Sequence, residues 1–221
     1  RKIKMKQTKK SEIKLIAFDI GGVLQLGNYI RSKNMPHNVG VHEYLSKKFK
    51  KDLDSWFDSI DSVYGKSMDG SISRRDALKM LAKNLNVSQE KLIKLFHKAY
   101  KKGFNRNNKL YRVAYKLKKK GYGIGILSDQ WYLSSDVLTS KKDMKDFKPV
   151  IVSCDVKMRK PNPKIYKLLI KKCKCKASEI VFIDNRDWNL KPAKKLGMKT
   201  ILFKDNKQCI KDLQKLRIDI K

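Results

Sequence analysis

The chain has 221 residues, enough for one large domain or two small ones, and 41% of them are hydrophobic, which suffices for a buried core. No run approaches the ~18 uninterrupted apolar residues of a membrane span, and no short apolar block ends in a small-residue cleavage site. The sequence therefore predicts a soluble, cytoplasmic protein, with residues 1–12 a basic lead-in in which Met5 is a candidate start. Lys and Arg number 54 against 21 Asp and Glu, a formal charge of +33, and such a field attracts phosphates and predicts non-specific nucleic-acid binding at low salt. The lysines are scattered in twos and threes, as at Lys47-Lys48 and Lys118 to Lys120, with no block or basic-aromatic stripe that would mark a dedicated nucleic-acid surface.

The first apolar run, residues 13–18 (IKLIAF), ends at Asp19 and a double glycine, Gly21-Gly22. Four more short runs follow: 122–127 (YGIGIL), 150–154 (VIVSC), 180–183 (IVFI) and 199–203 (KTILF). Each is rich in Ile, Val, Leu or Phe and precedes a polar turn, the pattern of strands buried on both faces. Helical periodicity lies between the last four. In 163–172, Ile165, Leu168 and Leu169 share a stripe, with Asn162 as N-cap and Pro163 at the first helical position. Alternating strand and helix predicts an α/β protein with a doubly wound, parallel, five-stranded Rossmann-like sheet.

The interval 26–106 breaks that rhythm. It offers no good strand but at least two capped helices, one behind Ser73 and Asp76 and one behind Ser88. A helical cap over residues 26–106, inserted into a core of 13–25 and 107–221, is the expected organisation. His37 and His42 in this interval read as surface residues. Trp131, Tyr132 and Trp188 are candidates to wall a ligand pocket, with core packing the favoured reading. The alternating glycines of "GYGIGI" (121–126) follow a helix and lead into a strand, the reverse of a dinucleotide fingerprint, so Gly121 reads as a helix C-terminal glycine. Cys154, Cys173, Cys175 and Cys209 lack CxxC spacing and read as reduced thiols.

In an open parallel sheet, ligands bind beyond the carboxyl ends of the strands. The polar residues that follow the apolar runs are Asp19, then Ser128 and Asp129, then Arg159 and Lys160, then Asp184, Asn185 and Asp187. Carboxylates, a hydroxyl and a lysine at one edge suit phosphoryl transfer. A carboxylate can attack phosphorus, acidic side chains can hold Mg²⁺, and lysine and hydroxyl can bind phosphoryl oxygens. Glycines after the nucleophile, Gly22 among them, let backbone N–H groups approach a phosphate.

"FDIGGVL", "ILSDQ", "MRKPNPKIY" and "VFIDNRDWNLKPAKKLGM" resemble, in order and spacing, the four motifs of the haloacid dehalogenase-like hydrolases, over about residues 13–216. The similarity is greatest to the phosphatases with Asp-x-Gly in the first motif, such as alpha-D-glucose-1-phosphate phosphatase-like enzymes. The resemblance implies a Mg²⁺-dependent phosphatase acting on a small phosphorylated metabolite. It makes Asp19 the nucleophile and a metal ligand, with Gly21 offering its backbone carbonyl to the metal and Asp184 holding it directly or through water. Ser128, Asp129, Lys160 and Gly22 would surround the phosphoryl group, and the cap would enclose the substrate.

Three departures stand out. Most phosphatases of the family have an aspartate, the general acid and base, where this chain has Gly21. The acidic pair of the last motif reads Asp184-Asn185, with Trp188 at the later acidic position and Asp187 as a candidate substitute. Asp129 stands where relatives often have Asn. Two other readings stay open: a non-catalytic descendant binding RNA or another polyanion, and a metal-independent 2-haloacid dehalogenase, which Asp184 disfavours because those enzymes have serine there.

Overall fold

The first strand already shows two-sided burial. In β1 (Leu15–Phe18), Leu15 and Ala17 enter one apolar cluster while Ile16 and Phe18 enter another, because successive strand side chains point to opposite faces. The computed structural model describes residues 12–27 and 39–220, so His37 and nearly all of the basic lead-in lie outside the described residues. After β1 come β2 (Gln25–Gly27) and four helices, α1 (Val39–Lys48), α2 (Leu53–Met68), α3 (Arg74–Asn84) and α4 (Gln89–Gly103). The chain continues through β3 (Phe104–Arg106), α5 (Asn108–Lys119), β4 (Gly123–Ser128), α6 (Tyr132–Leu138), α7 (Lys141–Met144), β5 (Val150–Val152) and α8 (Ser153–Val156). It closes with α9 (Pro163–Cys173), β6 (Ile180–Asp184), α10 (Asp187–Lys195), β7 (Lys199–Leu202) and α11 (Asn206–Lys215).

The five-stranded sheet has the order β5-β4-β1-β6-β7, every pairing parallel. Helices cover both faces. On one, Leu110, Tyr111 and Leu117 of α5 and Cys209 and Leu213 of α11 join Ile16, Phe18, Ile126 and Ile183. On the other, Ile165, Tyr166 and Leu169 of α9 and Leu190 and Ala193 of α10 pack on Ala17, Leu127 and Phe182. Each aliphatic side chain fully buried this way contributes about 1.5–3 kcal/mol. Capping follows the sequence: the side chains of Ser73, Ser88 and Asn162 accept from Asp76, Lys91 and Lys164 N–H groups. Gly121, at φ +89, lies just beyond the α5 C-terminus, as expected.

Three features differ from the sequence reading. The interval 26–106 does contain strand: β2 and β3 form an antiparallel ribbon where the chain leaves the core and returns. At three residues each, they are too short to show periodicity. The third long run yields only β5, because Ser153 and Cys154 already turn into α8. His42 is buried, accepting from Trp56 Nε1 through Nδ1 (3.1 Å) inside an aromatic cluster with Phe57 and Tyr64.

The helices between β2 and β3 pack back onto the core. Ser153 Oγ donates to the Met68 carbonyl (2.6 Å), Trp131 Nε1 to Tyr100 Oη (2.7 Å) and Tyr132 Oη to the Ile72 carbonyl (2.8 Å). Arg74 pairs bidentately with Asp136, which also bonds His97.

Candidate active site

The topology brings three strand ends together before any side chain is considered. Because β4 and β6 flank β1 in register, with Phe18 beside Ile126 and Ile183, the chain delivers Asp19 between Ser128, which ends β4, and Asp184, which ends β6. The Asp19 N–H continues the ladder to the Ile183 carbonyl (2.9 Å). Lys160 enters from the loop before α9, where its backbone N–H donates to Asp129 Oδ1 (3.0 Å).

The Asp19 carboxylate is held on both oxygens. Oδ1 accepts from Ser128 Oγ (2.6 Å) and the Ile20 N–H (2.7 Å), and Oδ2 lies 3.2 Å from Lys160 Nζ. The same Nζ donates to Asp184 Oδ2 (2.6 Å). Asp184 is tethered further by the Arg186 N–H on Oδ1 (2.8 Å) and by Asn189 Nδ2. Asp19, Ser128, Lys160 and Asp184 are all buried. Burial pushes the Asp19 carboxyl up to about 6, with nearby Asp184 adding to the rise and Lys160 and the Ser128 hydrogen bond opposing it. Burial likewise raises Asp129, against the pull of Lys160. For Lys160 the desolvation cost is outweighed by Asp184, Asp19 and Asp129, so the ammonium holds its proton more tightly than usual.

The glycines have separate reasons. Gly22 has φ +81, and a Cβ there would sit 2.2 Å from Asn185 Nδ2. Its N–H donates to the Gln25 carbonyl (2.7 Å), so the expected contact from this N–H to a phosphate is replaced by a turn hydrogen bond. Gly21 lies outside the left-handed region, and a Cβ there would meet only Gln130 Nε2, at 4.0 Å. Asn107 caps α5 and donates to the Val23 carbonyl (2.8 Å), fixing this loop against the core.

Asp187 is the clearest correction. It sits exposed in the first turn of α10, paired with Lys191 (3.2 Å), and does not join the buried cluster. A helix begun at Asp187 turns Asn189 inward instead. Trp188 is 50% exposed and not core packing, whereas Trp131 is buried. Sequence reasoning passed over Gln130, whose Nε2 donates to Ser128 Oγ (3.2 Å), and Asn189. The signal for Asn189 was its place in the first turn of a helix that starts directly after a strand-end acid.

The donor set fits a divalent cation. Two buried carboxylates, Asp19 and Asp184, share one ammonium, and a third, the half-buried Asp129, accepts from the backbone N–H of the same lysine, in a protein whose formal charge is +33. Asn185 Oδ1 is a buried acceptor with no hydrogen-bond partner. Mg²⁺ takes one or two carboxylates and completes its shell with water and phosphate. Among the described residues no group of three or more His, Cys, Asp or Glu is arranged so as to hold a metal ion by itself.

A doubly wound parallel sheet with acid, hydroxyl and lysine at its carboxyl edge is the site of a Rossmann-like hydrolase. The model of the haloacid dehalogenase-like hydrolases matches residues 13–197, and the chain belongs to that family. It is 30% identical to mouse bifunctional epoxide hydrolase 2 over 226 residues, 92% of this chain but 39% of that protein. It is 33% identical to a glyceraldehyde 3-phosphate phosphatase of Pyrococcus furiosus over 101 residues, 45% of this chain and 42% of that enzyme. The fold is shared with a HAD-like family hydrolase from Porphyromonas gingivalis (TM-score 0.72, 19% identity, 95% of this chain and 100% of that one). It is also shared with a HAD family enzyme from Bacteroides thetaiotaomicron, a mutant in complex with magnesium and inorganic phosphate (TM-score 0.69, 20% identity, 90% and 98%). No helix among the described residues is long and apolar enough to cross a membrane.

Proposed function

We propose that this protein is a Mg²⁺-dependent phosphatase that hydrolyses a small phosphorylated metabolite through an aspartyl-phosphate on Asp19. The observation that carries the reading is the doubly held Asp19 carboxylate at the end of the central strand, with Ser128 on one oxygen and Lys160 on the other. Such a carboxylate is fixed in orientation and cannot rotate away from a phosphorus placed before it. The Pyrococcus relative named a phosphatase, and the Bacteroides structure with magnesium and phosphate, support the same chemistry.

In the first step a carboxylate oxygen of Asp19 forms a bond to phosphorus and the substrate oxygen leaves with the bonding pair. In the second, water attacks the same phosphorus, the bond from phosphorus to Asp19 breaks with its pair returning to the carboxylate, and the proton that the water loses passes through solvent to balance the one taken up by the departed substrate oxygen. Lys160 and Ser128 bind the phosphoryl oxygens and stabilise charge in a site from which the surrounding residues exclude water. Bound Mg²⁺, held by Asp19 and Asp184 with the carbonyls of Gly21 and Asn185 at hand, would neutralise phosphate charge. Nothing at Gly21 delivers a proton. The nearest side-chain group above it, the Gln130 amide, can orient water but cannot act as an acid.

The test is Mg²⁺-dependent phosphate release from p-nitrophenyl phosphate, with Asp19→Asn as control. Release abolished by the substitution and by EDTA is expected. Chloride release from 2-chloropropionate by an otherwise silent wild type would overturn the proposal in favour of a dehalogenase. Equal, negligible turnover by wild type and Asp19→Asn across a phosphometabolite panel would favour a non-catalytic, polyanion-binding role.

A further inference from the structure

Nine arginines stand among 45 lysines in this chain, so a guanidinium is the exception among its positive charges. Two of the nine flank the buried cluster. Arg159 directly precedes Lys160, whose N–H is fixed on Asp129. Arg186 follows Asp184 by two residues and is anchored there by its own N–H, at 2.8 Å. Both backbones are thus tied to the site while both side chains reach solvent, Arg159 exposed and Arg186 half-buried.

Arg74 and Arg106 pair with Asp136 and Asp143, but neither Arg159 nor Arg186 forms an ion pair with a carboxylate of the described residues. Arg186 instead lies over the Trp188 ring, 5.4 Å from its centroid, an arrangement that restrains the guanidinium and explains a half-exposed tryptophan beside the site. The cap contributes Tyr64 from α2, its ring 4.8 Å from that of Trp131. The Tyr64 hydroxyl makes no hydrogen bond among the described residues, and burial holds its proton above the usual range while the nearby Arg186 and Arg159 pull the other way. The two guanidiniums are thus carried on backbone fixed to the buried cluster, and the phenol comes from the cap helix, its ring packed on Trp131, three residues after Ser128.

We propose that Arg159 and Arg186, with Tyr64, bind a second anionic group on the substrate, so that the substrate class is a phosphomonoester bearing a further phosphate or carboxylate. Lys160 and Ser128 serve the reacting phosphoryl group from beneath, and the guanidiniums stand at the rim, too exposed to share that duty. Planar forks with free N–H donors match carboxylate or phosphate oxygens in pairs, which lysine does not. The preference for two anions rests on the phosphatase reading only where turnover is concerned, since binding expresses it independently.

The experiment compares alkanediol bisphosphates and ω-carboxyalkyl phosphates of two to six carbons with the matching neutral alkyl monophosphates. For wild type with Mg²⁺, kcat/KM for the best doubly anionic member exceeds that of its monophosphate at least ten-fold. In Arg159→Gln/Arg186→Gln this ratio falls below two, and any loss common to both substrates cancels in it. Lys171→Gln/Lys172→Gln, a loss of equal charge elsewhere, keeps the ratio. An equal fall there would assign the preference to the general positive field and overturn the proposal, as would a wild-type ratio near one. Dissociation constants of the same pairs, measured calorimetrically on Asp19→Asn with Mg²⁺, give the second readout. If no substrate is turned over but the binding ratio holds and is lost with the arginines, the phosphatase reading fails and this one stands. Equal affinities overturn this one whatever the turnover.

Discussion

Gly21→Asp tests the chemistry most directly, because the site has room for the acid it lacks. An ideal Cβ at Gly21 meets only Gln130 Nε2 at 4.0 Å, an ordinary contact, and the backbone there lies outside the left-handed region. The new carboxyl can take a hydrogen bond from that amide. It would also stand two residues from the Asp19 carboxylate, whose negative charge disfavours its ionisation. A general acid–base group so poised is worth ~10²–10⁴-fold, or about 3–5 kcal/mol of barrier. The expected gain in kcat is larger for an alkyl phosphate, whose alkoxide needs a proton to leave, than for p-nitrophenyl phosphate, whose phenolate does not. Steady-state phosphate release on both substrates measures it, alongside acid-quench trapping of phosphorylated protein. With p-nitrophenyl phosphate, whose first step needs no proton, wild type should accumulate the aspartyl-phosphate and Gly21→Asp should not. A folded Gly21→Asp protein that turns over both substrates no faster than wild type would refute the reasoning that the missing proton shuttle limits this site.

The raised Asp19 carboxyl carries a stability consequence. With a folded value of about 6 against ~3.9 unfolded, the protonated form's contribution is full below pH ~3.9 and lost as pH rises through about 6, on the order of 2–3 kcal/mol. With EDTA present, Asp19→Asn should therefore melt several degrees higher than wild type at pH 7.5, and the gain should vanish near pH 4. Calorimetry at both values checks it. Lys160→Ala leaves Asp19 and Asp184 buried without their shared cation, and urea unfolding at pH 7.5 should show a loss of about 3–5 kcal/mol. Asn189→Leu removes the amide from both oxygens of Asp184 and should weaken Mg²⁺ activation about 10–100-fold, read from a Mg²⁺ titration of phosphate release. Gly22→Ala forces a side chain into a positive-φ position 2.2 Å from Asn185, and a loss of at least ~1 kcal/mol by the same unfolding assay is expected.

Much of this was legible in the residues themselves. Short Ile/Val/Leu/Phe runs alternating with capped helices can bury both faces only in a parallel sheet with helices on either side, so the core follows from composition and spacing. The three polar strand ends follow too, because a chain leaving a buried strand must turn at the sheet edge, where Asp19, Ser128 and Asp184 then stand. What the sequence left open is local in sequence but decided by contacts distant along it. Asp187 and Asn189 are two residues apart, and only the phase of α10, set by Leu190 and Ala193 packing on the sheet, sends the amide inward and the acid to solvent. His42 looks like any polar residue on a short helix until Trp56, fourteen residues on, supplies its hydrogen bond. Gln130 acquires meaning only because Gly21 leaves space beneath it. The sequence by itself thus determined the parallel sheet and the residues at its chemistry-bearing ends, and the family resemblance marked the missing acid. The tertiary structure decided which neighbours turn inward, since a side chain's burial depends on the partner that the fold brings to it.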